Sequence, residues 1–463
     1  MAEGRKPVVE WINLGCPKNV VDAEETLGLL ARDGFAVRTD GAEVDVVVIN
    51  TCGFIEASKQ ESIDAILGAA ERKRDGSVRK LIVAGCLAQR YARELPRELP
   101  EVDAFVGVGR PAEVARTVAD VLAGRERLIR VERRPQHRFA PETPRLQSTA
   151  PWTAYLKISE GCNHRCTFCA IPSIRGRHVS KPLDAVLEEA ERLAACGVRE
   201  LNLVAQDSTQ YGYDLYGEAM LPRLLRELSG VGGLHWIRLF YCYPSRVNGK
   251  VIDAIAGTPK VCAYIDMPLQ HADRDVLRAM SRPGGAESYL RLVRRFREAS
   301  PDIAIRTTFI VGFPGETAEA FENLMRFVEA ARFDRVGVFE YSREEGTPSA
   351  KLPGQVASGV KRSRRERLMR LQQDISLERG RRWVGRDLEV LVERPAAGQS
   401  SGNGNGLHAR AVGRSFRDAP DIDGVVYLRG VGAAPGQFVR ARVTDASAYD
   451  LTAEPIEPQR PAR

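Results

Sequence analysis

Three closely spaced cysteines follow a short apolar run, and they constrain this chain more than any other feature. Cys162, Cys166 and Cys169 form a CxxxCxxC triplet directly after the strand-like stretch 154–159. Three thiolates this close together can hold three corners of a cubane iron-sulfur cluster and leave the fourth iron without a protein ligand. An iron with an open position can bind and activate a small molecule. The triplet therefore predicts a cofactor held at the end of a strand.

Two other interpretations of the triplet remain open at this point. A zinc site normally closes with four ligands, often as two separated CxxC-like pairs, and no fourth cysteine lies near the triplet. His164 lies inside the loop, but a chelate that included it would be strained. Buried structural cysteines are the remaining alternative. The dense and ordered spacing favours the cluster.

Length and composition indicate a globular chain of several domains. The 463 residues predict about three domains, and 43% hydrophobic residues are enough for buried cores. No apolar stretch approaches the ~18 residues of a membrane span, and residues 1–7 lack a secretory hydrophobic region. We therefore expect a cytoplasmic protein with no membrane partner. Its nine cysteines are expected to be reduced ligands rather than a disulfide framework.

Near the N-terminus, three further cysteines each follow a predicted strand. The strands are predicted over 8–14, 44–50 and 80–84. The cysteines after them are Cys16, Cys52 and Cys86. Helical patterns over 20–33 and 57–73 separate the strands, as in parallel βαβ units. Ligands bind outside the carboxyl ends of such strands, so these thiolates are expected to meet there.

A second cluster with one free iron is the interpretation we favour for these three cysteines. Any one of them alone would more often be a small buried hydrophobe than a ligand. Each, however, is adjacent to a glycine, which lets the backbone approach a bulky cofactor closely. The remaining three cysteines lie in helical or apolar patterns and are interpreted as structural: Cys196, Cys242 and Cys262.

After a Pro- and Arg-rich stretch, 133–151, six strand-helix units predict an incomplete (β/α) barrel. The strands are predicted over 154–159, 199–204, 236–241, 262–267, 304–310 and 335–341. Helical patterns cover 183–195, 220–228, 288–299 and 319–330. Chemistry in such barrels occurs at the carboxyl ends of the strands. The candidate ligands at these ends, besides Cys162, are Gln206, Asp207, Tyr243, Gln270, His271, Gly312, Glu316 and Ser342.

Two pairs of these candidates carry weak signals. The turn from Gly312 to Glu316 suits a close approach of the backbone to a nucleoside, but such turns end many barrel strands without any ligand. Gln270 and His271 could equally be a polar pair that satisfies its own hydrogen bonds. The position of both pairs at the predicted mouth of the barrel is what makes them candidates.

The positive charge of the chain is concentrated in one predicted helix. Residues 361–382 contain nine basic and three acidic side chains. This segment could be a linker helix that is basic only for solubility. Alternatively, its basic face could contact an acidic partner such as ribosomal RNA.

The last part of the chain predicts a small all-β barrel of five strands. The strands are predicted over 388–393, 407–413, 424–428, 437–444 and 448–453. An insertion over 395–406, rich in Gly, Ser and Asn, is expected to be a mobile loop. Eight arginines against nine carboxylates over 384–454 suit a basic protein partner better than phosphates.

The predicted architecture is therefore α/β, with three domains and two connections. The domains are expected over 1–132, 151–360 and 384–455, the connections over 133–150 and 361–383, and a tail over 456–463.

With Phe168 before its last cysteine, the triplet has the CxxxCx(aromatic)C form and resembles the radical S-adenosylmethionine (SAM) enzymes. The order of a three-cysteine domain, this barrel and a small β-barrel resembles the methylthiotransferases, whose last domain is called TRAM. One branch of that family modifies an adenosine in transfer RNA. The other, the RimO branch, modifies an aspartate of the twelfth small-subunit ribosomal protein. Four stretches resemble the RimO branch: 14–19 (LGCPKN), 50–55 (NTCGFI), 241–244 (YCYP) and 268–271 (PLQH).

The resemblance implies two [4Fe-4S] clusters and SAM as cofactors. The cluster of Cys16, Cys52 and Cys86 would hold the transferred sulfur, and the cluster of the triplet would cleave SAM to a 5'-deoxyadenosyl radical. That radical would abstract hydrogen from the β-carbon of the aspartate, which has no useful acidity. Further contacts to SAM are expected from Phe168, Gln206, Gly312 and Glu316.

The resemblance also implies partners, and it leaves two rival functions open. The expected partners are the ribosomal protein, free or on the ribosome, and a low-potential electron donor such as a flavodoxin. One rival is the same chemistry on N6-modified adenosine of transfer RNA. The other is a non-catalytic iron-sulfur or zinc protein that binds ribosomes through its basic helix.

Overall fold

Runs of valine and isoleucine form the centre of a parallel N-terminal sheet in the computed structural model. Such runs are typical of strands covered by helices on both faces. The structure describes residues 5–38, 44–133, 135, 137, 139, 142–396, 409–430 and 433–456. The six strands lie in the order β2-β1-β3-β4-β5-β6. They are β1 (Val8–Asn13), β2 (Ala36–Arg38), β3 (Val44–Thr51), β4 (Val78–Gly85), β5 (Ala104–Val106) and β6 (Leu128–Arg130).

Five helices connect these strands. They are α1 (Pro17–Arg32), α2 (Glu56–Arg74), α3 (Cys86–Arg90), α4 (Leu95–Glu98) and α5 (Pro111–Leu122). Proline opens α1 and α5, a position where its fixed φ suits the helix and its missing N–H is not needed. The three strands predicted from the sequence are neighbours at the centre of the sheet, so their carboxyl ends lie side by side.

Six parallel strands follow and form an open barrel. Two three-stranded sheets, β11-β10-β7 and β12-β13-β14, are joined by a parallel bridge between Ile237 and Val261. The strands of this region are β7 (Thr153–Lys157), β8 (Ser159–Glu160), β9 (Val179–Ser180), β10 (Glu200–Val204), β11 (Trp236–Leu239), β12 (Tyr264–Asp266), β13 (Ala304–Val311) and β14 (Arg335–Glu340). The partial (β/α)6 barrel predicted from the sequence is confirmed. The strands β8 and β9 form a separate antiparallel ribbon beside the cysteine triplet.

The helices of this region are α6 (Ile171–Arg175), α7 (Leu183–Ala195), α8 (Tyr213–Tyr216), α9 (Leu221–Gly230), α10 (Gly249–Gly257), α11 (Arg274–Ala279), α12 (Ala286–Ala299), α13 (Ala318–Ala331) and the long basic helix α14 (Ser358–Arg381). All of them except α6 and α8 pack outside the barrel and form the largest apolar core with its strands. Among the described residues, no helix is both long enough and apolar enough to cross a membrane.

The C-terminal residues form the expected closed five-stranded barrel, in the order β15-β16-β17-β19-β18. Its strands are β15 (Asp387–Pro395), β16 (Ala409–Ser415), β17 (Val426–Arg429), β18 (Phe438–Ala446) and β19 (Leu451–Pro455). Most of the predicted insertion 395–406 lies outside the described residues.

The C-terminal barrel closes the amino-terminal end of the central barrel. Glu200, the first residue of β10, accepts hydrogen bonds from Arg238 of β11 (3.0 Å) and from Arg414 of β16 (2.6 Å), and all three side chains are buried. Arg335 at the start of β14 pairs with Asp418 at 2.6 Å. The carboxyl ends of the barrel strands therefore remain open at the other end.

Candidate functional site

All six predicted ligand cysteines line one cavity of about 420 Å3. The cavity lies where the carboxyl ends of the central barrel strands meet the carboxyl ends of β1, β3 and β4. None of the six forms a disulfide bond. The two constellations that the sequence suggested separately thus face a shared space.

The N-terminal three cysteines are brought together by tight glycine turns. Gly15 has φ of +97°, and a Cβ atom at this position would lie 2.9 Å from Cβ of Cys52. Glycine is therefore required both for the backbone conformation and for the close approach of Cys16 to Cys52. Asn19 ties the turn to the next strand, because its side-chain amide donates to the carbonyl oxygens of Leu14 (2.8 Å) and Thr51 (3.2 Å).

The thiols of this group differ in acidity. Burial opposes ionisation of Cys16, but the nearby cations Lys18 and Arg175 outweigh it and lower the pKa of its thiol. Burial raises the pKa of Cys52 and raises that of Cys86 to about 12. Cys86 would thus stay protonated at neutral pH unless a metal ion replaces its proton.

The CxxxCxxC triplet forms a loop that is fixed at both ends. The N–H of Cys162 donates to the carbonyl of Gly176 at 3.1 Å, and the N–H of Thr167 donates to that of Met280 at 3.1 Å. Burial raises the pKa of Cys162 to about 11 and that of Cys169 to about 12. These two thiols also require a metal ion to become thiolates near neutral pH.

Aromatic and amide side chains complete the wall near the triplet. Phe168, Gln206, Tyr243 and Gln270, all predicted candidates, line the cavity. The buried Nε2 of Gln206 has no hydrogen-bond partner among the described residues. Tyr243 stacks on His164 with ring centroids 3.6 Å apart. This wall offers a flat aromatic surface to a bound molecule.

Two residues of the wall have strained backbones. Tyr241 has φ of +58° and Gln270 has φ of +73°, a left-handed region that is uncommon for residues other than glycine. Such conformations persist where the surrounding structure enforces them, and they are frequent at functional sites.

Asp207 lies just behind the wall and orients His164. The Oδ2 atom of Asp207 is 2.6 Å from Nε2 of His164, and its Oδ1 accepts the backbone N–H of Thr209 at 2.9 Å. We assign Asp207 a supporting position, since it does not line the cavity.

Four other candidates do not line the cavity and have local partners: His271, Gly312, Glu316 and Ser342. Glu316 accepts the backbone N–H groups of Gly312 and Phe313 and lies 3.4 Å from Arg364 of α14. Nδ1 of His271 accepts the N–H of Asp273 at 3.0 Å, and Ser342 donates to Glu344 at 2.6 Å. A Cβ at position 312 would overlap the side chain of Lys361.

The glycine turn at 312–316 therefore accommodates helix α14 in this structure. Contacts of Gly312 and Glu316 to SAM remain a prediction. Cys242, interpreted from the sequence as structural, is buried and also lines the cavity.

Three cations at the cavity were not among the predicted site residues: Lys18, which lies in the stretch 14–19, Arg175 and Arg282. Arg175 connects the two halves of the site, because it donates to Glu160 of its own barrel (2.7 Å) and to Asn19 of α1 (2.6 Å). Arg282 donates to the carbonyl of Pro268 at 2.7 Å and lies 3.7 Å from Sγ of Cys166. The partners of these two arginines come from distant segments, so no local pattern could reveal them.

The donor set fits two clusters better than single ions. Within the described part of the chain, no group of three or more His, Cys, Asp or Glu side chains is placed to hold one metal ion. Instead, two sets of three cysteine sulfurs border an open cavity, and sulfur is the ligand that iron-sulfur clusters take.

Comparison with known families gives three matches in the order expected from the sequence. Residues 9–107 match a family described as uncharacterized protein family UPF0004. Residues 156–328 match the radical SAM superfamily. Residues 384–456 match the TRAM domain. Each match covers one of the three folded regions.

Relatives with assigned names are similar over nearly the whole chain. A ribosomal protein uS12 methylthiotransferase RimO from Geobacter sulfurreducens is 49% identical over 97% of this chain and 99% of its own. The protein of the same name from Symbiobacterium thermophilum is 48% identical over 98% of this chain and 92% of its own.

Solved structures resemble this one in fold. The radical SAM methyltransferase TsrM from Kitasatospora setae, with cobalamin and a [4Fe-4S] cluster bound, superposes with a TM-score of 0.57 at 17% identity and covers 74% of this chain and 77% of its own. The cobalamin-dependent enzyme OxsB has a TM-score of 0.51 at 12% identity, with 80% and 56% covered.

Proposed function

Because the chain belongs to the RimO family of ribosomal protein uS12 methylthiotransferases, we propose that its six cavity cysteines hold the two clusters of that reaction. Cys16, Cys52 and Cys86 hold one [4Fe-4S] cluster, and Cys162, Cys166 and Cys169 hold the other. The chain is a radical SAM enzyme that transfers a methylthio group to uS12. The observation that carries the assignment is that both sets of thiols face the same cavity.

When bound, the clusters and SAM supply one-electron chemistry and the transferred sulfur, which no side chain of this protein could provide. The protein holds them by buried thiols, and Lys18 and Arg175 favour the thiolate form of Cys16. Phe168, Gln206 and Tyr243 shape the wall next to the triplet. We assign Phe168 and Gln206 to the binding of SAM.

The substrate position follows from the shared cavity. We propose that an aspartate of uS12 enters it, so that its β-carbon lies between the two groups of cysteines. A general base could not remove hydrogen from this carbon, because its C–H bond is not acidic enough. The walls that enclose the carbon serve mainly to exclude water. Both α/β regions contribute to the cavity wall, and Arg175 holds the two regions together.

Two further properties belong to this proposal. The reaction needs electrons at low potential, and we propose a flavodoxin-like protein as their donor. A substrate that is a ribosomal protein supports a cytoplasmic location. Modification of transfer RNA is not favoured, because the relatives of 45–49% identity bear the uS12 name.

The decisive experiment is mass spectrometry of uS12 after reaction with the enzyme. Anaerobically reconstituted protein, SAM and a reductant are incubated with purified uS12 or small subunits. We expect a methylthio mass gain on one aspartate. A matched control carries Cys196→Ser, since Cys196 is exposed and does not line the cavity, and it should retain the activity.

The same preparation tests the rival assignments. About eight irons per chain are expected for two cubane clusters. Stoichiometric zinc, or modified transfer RNA with unmodified uS12, would contradict the proposed function.

A further inference from the structure

Lys18 is a buried cation at the cavity that lacks a carboxylate partner. It is only 5% exposed, and it lines the cavity together with the six cysteines. Among the described residues, no Asp or Glu lies within ion-pair distance of its ammonium group. The thiolate of Cys16 is an anionic neighbour of Lys18, and the three N–H donors of the ammonium group allow it to bind a second anion that arrives with a ligand.

The ammonium group is held in place by an aromatic ring. Nζ of Lys18 lies 3.6 Å from the centroid of the Tyr241 ring, within the range of a cation–π contact. Tyr241 itself has the strained φ of +58°. This cation–π contact fixes the position of Nζ. Its three N–H donors can still donate hydrogen bonds to an anion.

The other two cations of the cavity are already engaged. Arg175 is paired with Glu160 and Asp22. Arg282 donates to Pro268 and lies next to Cys166 and Tyr243, on the side where we place SAM. Lys18 lies beside Cys16, whose group of cysteines we assign to the transferred sulfur.

We propose that Lys18 recognises the carboxylate of the target aspartate and makes the enzyme selective for aspartate over neutral side chains. This inference rests on the proposed function. The carboxylate of aspartate is bonded directly to the β-carbon that reacts. A residue that binds this carboxylate must therefore lie inside the cavity rather than at its rim, and Lys18 meets this condition.

The inference is tested by binding rather than by turnover. Reconstituted wild-type enzyme, Lys18→Met and Lys18→Arg are titrated anaerobically with labelled uS12 and with uS12 whose target aspartate is changed to asparagine. Wild type should bind the aspartate form about tenfold more tightly, as expected for one hydrogen bond between charged groups. Lys18→Met should bind both forms alike, at the affinity of wild type for the asparagine form. Lys18→Arg should recover part of the preference.

A matched control and a further readout separate this role from others. Lys250→Met removes a charge from an exposed lysine of α10 and should keep the wild-type preference. SAM affinity of Lys18→Met should stay at the wild-type value. Lys18→Met is compared with wild type at equal iron content, because Lys18 also favours the thiolate form of Cys16. Loss of SAM affinity would assign Lys18 to SAM and overturn the inference, as would a Lys18→Met enzyme that still prefers aspartate.

Failure of the proposed function would look different. In that case the wild-type enzyme itself would leave uS12 without a methylthio group. A wild-type enzyme that modifies uS12 but binds both forms equally would overturn only the role of Lys18.

Discussion

Burial opposes ionisation of Cys16, Cys52, Cys86, Cys162 and Cys169, and each of these thiols has a different set of charged neighbours. Cys16 has two cations nearby that lower its pKa, whereas Cys86 and Cys169 have pKa values raised to about 12. Metal binding must release protons from the latter thiols, so cluster assembly should be favoured by higher pH. Both groups contain such a thiol, so the assembly of both clusters is expected to respond to pH in the same direction.

The two groups should also differ in what their loss does to the reaction. Cys162→Ala should abolish the cleavage of SAM, because the triplet then has two ligands. Cys52→Ala should leave formation of 5'-deoxyadenosine partly intact but stop transfer of the methylthio group. Chromatography of 5'-deoxyadenosine and mass spectrometry of uS12 measure the two steps. Methylthiolated uS12 from Cys52→Ala would refute the assignment of the N-terminal cluster.

A substitution of Gly15 tests whether the tight backbone turn before Cys16 is needed for the N-terminal cluster. Gly15→Ala should reduce the iron content from about eight to about four per chain, because the new Cβ would meet Cβ of Cys52 at 2.9 Å. Gly34 is the matched control, since it also has a positive φ (+92°) but a Cβ atom added there would have no neighbour within 4 Å. Gly34→Ala should cost only about 1 kcal/mol of backbone strain. Equal iron contents in the two variants would show that the turn is not needed for the cluster.

Among individual residues, the sequence alone identified those that lie in a short motif or directly after a predicted strand. The cysteines could be found because each follows a strand or belongs to one short motif. Arg175 and Arg282 could not, since each acquires its role from segments far away in the chain, whereas Lys18 lies in the stretch 14–19 and was not selected from it. Gly312 and Glu316 were selected from a turn pattern. The turn packs against Lys361 and Arg364, and the contact of both residues to SAM remains a prediction.

Among the secondary structure elements, strands with long apolar runs were predicted well. All six strands of the central barrel occur where expected, because both of their faces are covered. The short strands β2, β5 and β6 were missed, since three residues give no detectable period. The basic helix α14 was predicted as a helix, but its inner face is not solvated.

Helix α14 permits a comparison of two arginines in one element. Arg379 is buried and binds both carboxylate oxygens of Asp334, at 3.0 and 3.1 Å. Burial alone would raise the pKa of Asp334, but Arg379 and Arg417 hold it below its ordinary value. Arg379→Met should therefore destabilise the protein by about 1.5–3 kcal/mol, the cost of losing hydrogen bonds to a charged group, because Arg417 still pairs with Asp334 at 3.3 Å.

The control for this prediction is Arg365→Met. Arg365 is exposed on the same helix, and its loss should change the free energy of unfolding by less than about 0.5 kcal/mol. Urea-induced unfolding followed by circular dichroism measures both values. Similar stabilities of the two variants would show that the Asp334 pair does not stabilise the fold.

For the molecule as a whole, the three folded regions meet in the lumen of the central barrel. One apolar cluster contains Val21 of α1, Tyr155 of β7, Tyr264 of β12 and Leu391 of β15. The sequence predicted the three regions but not this arrangement, because the contacts join residues hundreds of positions apart. The C-terminal barrel thus supports the strands whose other ends carry the site. Arg414 and Asp418 of the C-terminal barrel form ion pairs in this contact.

Glu200 links the two barrels and should make this contact sensitive to acid. Burial would raise its pKa, but Arg414 and Arg238 lower it from 4.5 to about 2. Because the folded pKa lies below the unfolded one, the carboxylate stabilises the fold fully above about pH 4.5, and this stabilisation is lost as the pH falls toward about 2. Glu200→Gln should therefore cost about 3–5 kcal/mol near neutral pH, and the difference from wild type should shrink as Glu200 becomes protonated. Urea unfolding of both proteins at neutral pH and at about pH 3 measures this change, and a difference that stays constant with pH would show that the Glu200 charge does not stabilise the junction.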